Sequence, residues 1–383
     1  LVRSRGLGDV YKRQTVSCSN EEIMEPMAQL PIGFSAATTH AAMMRSTLTD
    51  GNTLKNNSFE VYAFNAKDGN LFLGRKLKGQ SDALDFSQGV EIAYQDNAWN
   101  YKKPEEKAYW PVDALNFYAF HPLSDPSMGY TVEVQSDQKQ QLKYSVPTNP
   151  KGEKDILYAV AKKVTKDTNE GKVKLTFKHA LSLITFKAKT ELASMTVDIE
   201  DWKIHVISHN GTMTLPEDEA GTPTWLVGKK TPIDNENLVT KNMEKPIDGI
   251  GHSEAQSLGS KLYIPQTLKA WDTKKTINDV DVMAKEDSQT PDELKETYLS
   301  ILCRIRQNGN LLWGKEGEYR RLYVPFGDTW EPGKRYVYTL VFGGGYDEYG
   351  KSVLKPLEIE ADVEDMEDAL QDVETSVGLG KQN

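Results

Sequence analysis

The stretch Leu175-Thr-Phe-Lys-His-Ala-Leu-Ser-Leu-Ile-Thr-Phe186 decides how the rest of this chain is read. It spans two short strands, Lys172–Phe177 and Leu183–Lys189, in which apolar and polar residues take turns. Successive side chains of a strand point to opposite faces, so this alternation is what one buried and one solvated face require. The pattern recurs upstream. Leu30, Ile32 and Phe34 alternate with Pro31, Gly33 and Ser35. Phe59, Val61 and Ala63 share a face, and Asp68-Gly69 turns that strand back into Leu71-Phe-Leu73 as a hairpin. Gly89–Tyr94, Trp99–Tyr101, Ala114–Phe120 (ended by Pro122) and Gln141–Val146 follow.

Downstream, Met195–Ile199 and Trp202–Ser208 alternate, and Asn210-Gly211 is a hairpin signal. Lys261–Pro265, Val280–Ala284, Tyr298–Gln307, Leu311–Trp313, Tyr319–Val324, Arg335–Phe342 and Leu357–Val363 complete the set of strand candidates. No segment of helical period is long enough to be a main element; Met366–Val373 is a short helix candidate. Short strands separated by turn signals predict an all-β chain of two tandem β-sandwiches. The natural division is near residue 190, giving an N-terminal sandwich over 30–190, a C-terminal sandwich over 191–365 and an acidic tail over 366–383.

Composition removes several function classes. The chain has 383 residues, with 46 Lys plus Arg against 56 Asp plus Glu, a net charge of -10. An acidic chain without basic clusters is a poor nucleic-acid binder. It carries no apolar run of about 20 residues that would cross a membrane as a helix. Cys18 and Cys303 are the only cysteines, too few for a disulfide framework. Cys303 lies in an alternating apolar run and is expected as a buried strand thiol.

The N-terminus is a separate matter. Residues 1–14 carry Arg3, Arg5, Lys12 and Arg13 against Asp9 and show no periodicity. They look like translated adaptor sequence and are excluded from fold reasoning. Thr15-Val-Ser-Cys18-Ser-Asn-Glu-Glu22 resembles the end of a bacterial lipoprotein signal peptide, with small residues before a cysteine and polar, acidic residues after it. Residues 15–29 then read as signal end and tether, and Cys18 as the lipidation site. Two or three acyl chains anchor stably because each buried CH₂ contributes about 0.8 kcal/mol.

Catalytic and metal patterns are not found. No HExxH, CxxC, GxSxG or Walker A motif occurs. His205 and His209 share a strand face but stand about 13 Å apart along it, a poor metal pair. Trp225, Trp271 and Trp313, in polar or loop-rich surroundings, are candidates for stacking on sugars. No catalytic residue, cofactor or metal is assigned.

Tyr109-Trp-Pro111, the Ala114–Pro122 strand, Asp155-Ile-Leu-Tyr-Ala159 and the opening stretch resemble, in order and spacing, the fimbrillin-like surface proteins of Bacteroidetes, which include type V pilus subunits. Leu262-Tyr-Ile-Pro-Gln266 and Trp330-Glu-Pro-Gly-Lys-Arg-Tyr-Val-Tyr338 extend the resemblance to about residue 365. It implies two transthyretin-like sandwiches and export as an outer-membrane lipoprotein. It also implies Arg-specific removal of an N-terminal strand, with the vacated groove taking a strand from the next subunit. Here Arg45 sits at the processing position, Leu30, Ile32 and Phe34 form the removable strand, and His179 is expected to make a structural hydrogen bond. The implied partners are other fimbrial subunits, the outer membrane, and host or bacterial surface glycans or proteins. The competing reading is a glycan-binding outer-membrane lipoprotein for polysaccharide uptake.

Overall fold

The computed structural model of the chain describes residues 30–38, 48–76, 84–85, 88–136, 139–146, 153–232, 242–286, 291–354 and 358–366. The main strands up to residue 179 are β1 (Gly33–Thr38), β2 (Ser58–Asn65), β3 (Leu71–Leu73), β4 (Val90–Gln95), β5 (Ala98–Tyr101), β6 (Leu115–His121), β7 (Tyr130–Ser136), β8 (Lys139–Ser145), β9 (Leu157–Val164) and β10 (Lys172–His179). Hydrogen bonding runs β2-β4-β5-β1-β10-β9-β6, and β6 pairs again with β2. The two layers of this sandwich are therefore joined at both edges into a flattened barrel. Its interior is apolar, and Phe34, Phe59, Phe117, Leu175 and Phe177 meet there.

Strand β2 shows how sequence sets layering. Phe59, Val61 and Ala63 point into the barrel, while Tyr62 and Phe64 point outward, and all five are fully buried. A strand buried on both faces needs a second cover. It is supplied by a four-stranded sheet, β7 and β8 continued by β13 (Asn210–Thr214) and β14 (Thr224–Val227). Tyr130, Leu142 and Tyr144 of that sheet pack on Tyr118, Phe120 and Tyr158 of the barrel wall.

The second sandwich has two faces. One is β15 (Gln256–Tyr263), β11 (Ser182–Thr190), β18 (Lys334–Phe342) and β19 (Glu358–Asp365), in that spatial order. The other is built on β12 (Met195–His205), β16 (Glu296–Gln307) and β17 (Arg320–Pro325). Phe186, Trp202, Ile301, Tyr338 and Phe342 fill the space between them. Cys303 is fully buried in that core, and burial pushes its thiol well above the ordinary range. Leu183 and Leu262 face the other way, into the cluster that covers the barrel.

Strand pairing does not follow a division at residue 190. β11 ends at Thr190 yet pairs with β15 and β18. β13 and β14 come after it yet pair with β8 and with each other. Asn210-Gly211, expected as a hairpin turn, instead opens β13. Met213 pulls this strand into the apolar cluster between barrel and cover sheet. The two runs Met195–Ile199 and Trp202–Ser208 merge into the single strand β12 through Met195–His205. A bulge between Ile199 and Asp201 keeps Val197, Ile199, Trp202 and Ile204 all facing the core.

Val280–Ala284, expected as a strand, lies within a helix, Ile277–Glu286. Ile277, Val280 and Ala284 are buried against Trp271 and Tyr298, whereas Val282 is exposed, so the operative period is helical. Thr276 and Asp279 cap its start reciprocally: the Thr276 amide donates to Asp279 Oδ2 at 3.0 Å and the Asp279 amide to Thr276 Oγ1 at 3.1 Å. Of Met366–Val373, only Met366 is described; it is buried.

Candidate functional site

The expected removable strand is a wall of the barrel. Residues 30–32 run beside 108–110: the Ile32 amide donates to the Ala108 carbonyl at 3.0 Å, and the Trp110 amide to the Leu30 carbonyl at 2.9 Å. The chain then enters β1, which lies parallel to β10 from Gly33 opposite Lys172 to Thr38 opposite Phe177. On its other side it meets β5 where Phe34 faces Trp99. Ile32 and Phe34 are 1% and 5% exposed. Phe34 presents its ring edge-on to Tyr101 at 5.6 Å and Phe117 at 6.3 Å.

Leu30 behaves differently. It precedes the strand and is 43% exposed, so of the three expected residues two enter the core and one does not. Its side chain lies over Gly171, where a Cβ would stand 2.6 Å from Leu30 Cδ2. Gly171 also has a φ of +77°, which favours glycine, and its carbonyl accepts from Trp110 Nε1 at 2.9 Å. The strand extends further than the alternation signalled, because Ala36 and Ala37 are too small to mark a face.

The physical consequence of this geometry is direct. Without β1, β10 and β5 would each present unpaired backbone groups. The space now filled by Ile32 and Phe34 would become an apolar trough between Trp99, Tyr101, Trp110 and Phe117. Unpaired edges accept another strand, and pockets for alternate side chains make the acceptance selective.

The barrel end where β1 finishes is held by polar contacts inside an apolar shell. The Thr49 amide donates to Asp155 Oδ2 at 2.8 Å. His179 Nδ1 lies 2.9 Å from that carboxylate, with both groups buried, which supplies the hydrogen bond expected of His179. Glu60, also buried, accepts from the amides of Gly89 and Ser124, each at 3.0 Å. Sequence reading passed over these buried carboxylates, since a lone Glu in an apolar strand carries no sign of its partners. Thr38 and Thr49 are both buried and flank the segment that contains Arg45. Arg45 and Cys18 themselves lie outside the described residues.

Strand β19 is the other edge of interest. Among the described residues it pairs only with β18, from Lys334 opposite Asp365 to Val341 opposite Glu358. Residues 360–364 are exposed. Ion pairs of Lys334 with Asp365, Arg335 with Glu364 and Lys189 with Glu360 fasten it. The sugar-stacking candidates fare poorly: Trp271 and Trp313 are buried, and Trp225 is half-buried with its Nε1 donating to the Ala180 carbonyl at 3.1 Å. Among the described residues no group of three or more His, Cys, Asp or Glu side chains is placed to hold a metal ion.

A family model described as fimbrillin-like matches residues 45–365. The fold is similar to that of a fimbrial protein from Bacteroides vulgatus, at 14% identity and a TM-score of 0.53, covering 88% of this chain and 99% of that one. Two further solved structures overlap over 88% of this chain. One is a cell adhesion protein from Bacteroides uniformis (16% identity, TM-score 0.43, 99% of that chain). The other is the tip fimbrial protein Mfa3 from Porphyromonas gingivalis (8% identity, TM-score 0.35, 98% of that chain). Comparison with curated protein sequences gives no match. With its two β-sandwiches and a family match over most of its length, this chain belongs to the fimbrillin-like family.

Proposed function

We propose that this chain is a fimbrial subunit of the cell surface, anchored to the outer membrane through Cys18 and made competent for assembly by cleavage after Arg45. Its role on this reading is structural and adhesive rather than catalytic. The observation that carries it is the placement of β1: a strand with paired neighbours on both sides and Ile32 and Phe34 in the core. Cleavage after Arg45 would cut the covalent link between β1 and the rest of the barrel. Once β1 leaves, a strand from another subunit restores the lost backbone pairing and refills the apolar sites.

The test is limited digestion of the protein from Ser19 onward with an Arg-specific protease. Fragments are mapped by mass spectrometry, and multimers are sought on a denaturing gel without boiling. A cut after Arg45 followed by a ladder of multimers is expected. Failure to cut at Arg45, with the protein folded, overturns the processing step. A clean cut that leaves only monomer overturns self-assembly and leaves a subunit that accepts a different partner's strand. Lipidation is read separately: Cys18→Ser is expected to move the protein from the detergent phase to the aqueous phase in cells that export it.

A further inference from the structure

Strand β1 fills the barrel with one face and offers little with the other. Its outward positions are Gly33, Ser35 and Ala37, all small and uncharged. The strand beside it, β10, is built differently. Val173 and Leu175 point into the barrel, while Lys172 and Lys174 stand exposed on the outside. The parallel register sets Gly33 beside Lys172 and Ser35 beside Lys174. Residues paired in this way share a face, on strands about 4.8 Å apart. At Gly33 the closeness is explicit: a Cβ there would stand 3.2 Å from Lys172 Cγ.

Neither lysine is answered by an opposite charge. Among the described residues no carboxylate is ion-paired with Lys172 or Lys174, including Asp167 and Glu170 in the turn that leads into β10. On the far side of β1, β5 turns Ala98 and Asn100 outward, and both are uncharged. Lys178, farther along the same face of β10, is already engaged, its ammonium donating to the Glu219 carbonyl. Two like charges therefore stand about 6–7 Å apart along the border of the place that β1 occupies. Opposite charges facing across neighbouring strands stabilise a sheet and like charges destabilise it. An acidic side chain at position 35 would meet Lys174 directly and Lys172 on the diagonal, and β1 supplies none.

We propose that the strand which replaces β1 carries acidic residues on its outward side, so that the preferred partner is an extended segment alternating bulky apolar with acidic residues. The sites of Ile32 and Phe34 take the apolar side chains, and Lys172 and Lys174 select the residues between them. β1 is then a placeholder: it satisfies the core but leaves the lysines unpaired, and a strand that does both outcompetes it. The same two charges steer an acidic segment toward the groove before it docks. The inference rests on the assembly reading and adds to it the chemistry of the partner.

The first measurement uses the intact chain. Ser35→Glu and Ser35→Lys extend the same outward side chain with opposite charge, so their comparison isolates the charge. Ser35→Glu is expected to lower the unfolding constant about 3- to 10-fold relative to Ser35→Lys, read from urea titrations at low salt. The gap should shrink in 1 M salt and in a chain that also carries Lys172→Ala and Lys174→Ala. Equal or reversed stability, or a gap that survives removal of both lysines, overturns the proposal. The second measurement offers peptides of residues 30–38, bearing Ser35→Glu or Ser35→Lys, to the protein cut after Arg45. The acidic peptide is expected to bind about 3- to 10-fold more tightly. Equal binding of the two overturns the proposal and leaves strand exchange standing. No cut at Arg45, or entry by neither peptide, overturns the assembly reading and the proposal with it.

Discussion

Strands β1 and β19 both lie near the ends of the described chain, and they are held in opposite ways. β1 has neighbours on both sides and sends Ile32 and Phe34 into the barrel core. Among the described residues β19 has one neighbour, β18, to which it is laddered along its length; residues 360–364 are exposed, and surface ion pairs add to the ladder. Its apolar holds are Ile359, partly buried against the second core, and Met366 just beyond it, whose amide donates to the Gly333 carbonyl at 2.9 Å. Apolar burial is worth far more than exposed ion pairs. The lesson is that the two strands differ in what their departure leaves behind: a trough in a core in one case, a solvated edge in the other. Charged residues along β19 also suit an edge that must not recruit other chains indiscriminately.

The sharpest way to break this comparison is Phe34→Ala. It should destabilise the barrel by about 3–5 kcal/mol, read as a shift in the urea midpoint. A loss under about 1 kcal/mol would mean that β1 is not a structural wall. Met366→Ala tests the opposite strand: the side chain is buried in the cluster that covers the barrel, and its loss should cost about 2–3 kcal/mol. A loss equal to that of Phe34→Ala would erase the contrast.

Whether the two regions unfold together can be asked through Glu153. This buried carboxylate accepts the Leu262 amide at 2.7 Å and so ties the barrel side to β15. Burial, partly offset by that hydrogen bond and by Lys261, raises its pKa to about 7 from an unfolded value of 4.5. Between those values the native state holds a proton that the unfolded state has released, so stability falls as pH rises through the window. Glu153→Gln should remove that fall, on the order of 3 kcal/mol between pH 4.5 and 8 in denaturant titrations. Flattening seen in only one of two resolved transitions would show that the regions unfold separately. Smallest of all, Lys334→Ala should cost less than about 1 kcal/mol, and 1 M salt should shrink the difference further.

Face and class were legible from residue order. Alternation in Phe59–Ala63, in Lys172–Phe177 and in Tyr336–Phe342 announced strands, and Ile32 and Phe34 were correctly read as inward-facing. Local pattern misled where two periods overlap: Val280 and Val282 look like a strand until Ile277 and Ala284 are counted with Val280. It also failed where apolar residues are small, as at Ala36 and Ala37. The candidate site was half legible, since the strand was found but not its neighbours.

What the sequence determined by itself is therefore the all-β class, the set of strands and most of their inward faces. Each follows from a spacing of two residues, which the chain carries locally. Only the tertiary structure decided that β1 lies parallel to β10, that β13 reaches back past residue 190 to β8, and that Ser35 stands beside Lys174. A strand's alternation says which side is buried but not against whom. The partner is chosen by long-range burial that no local period records.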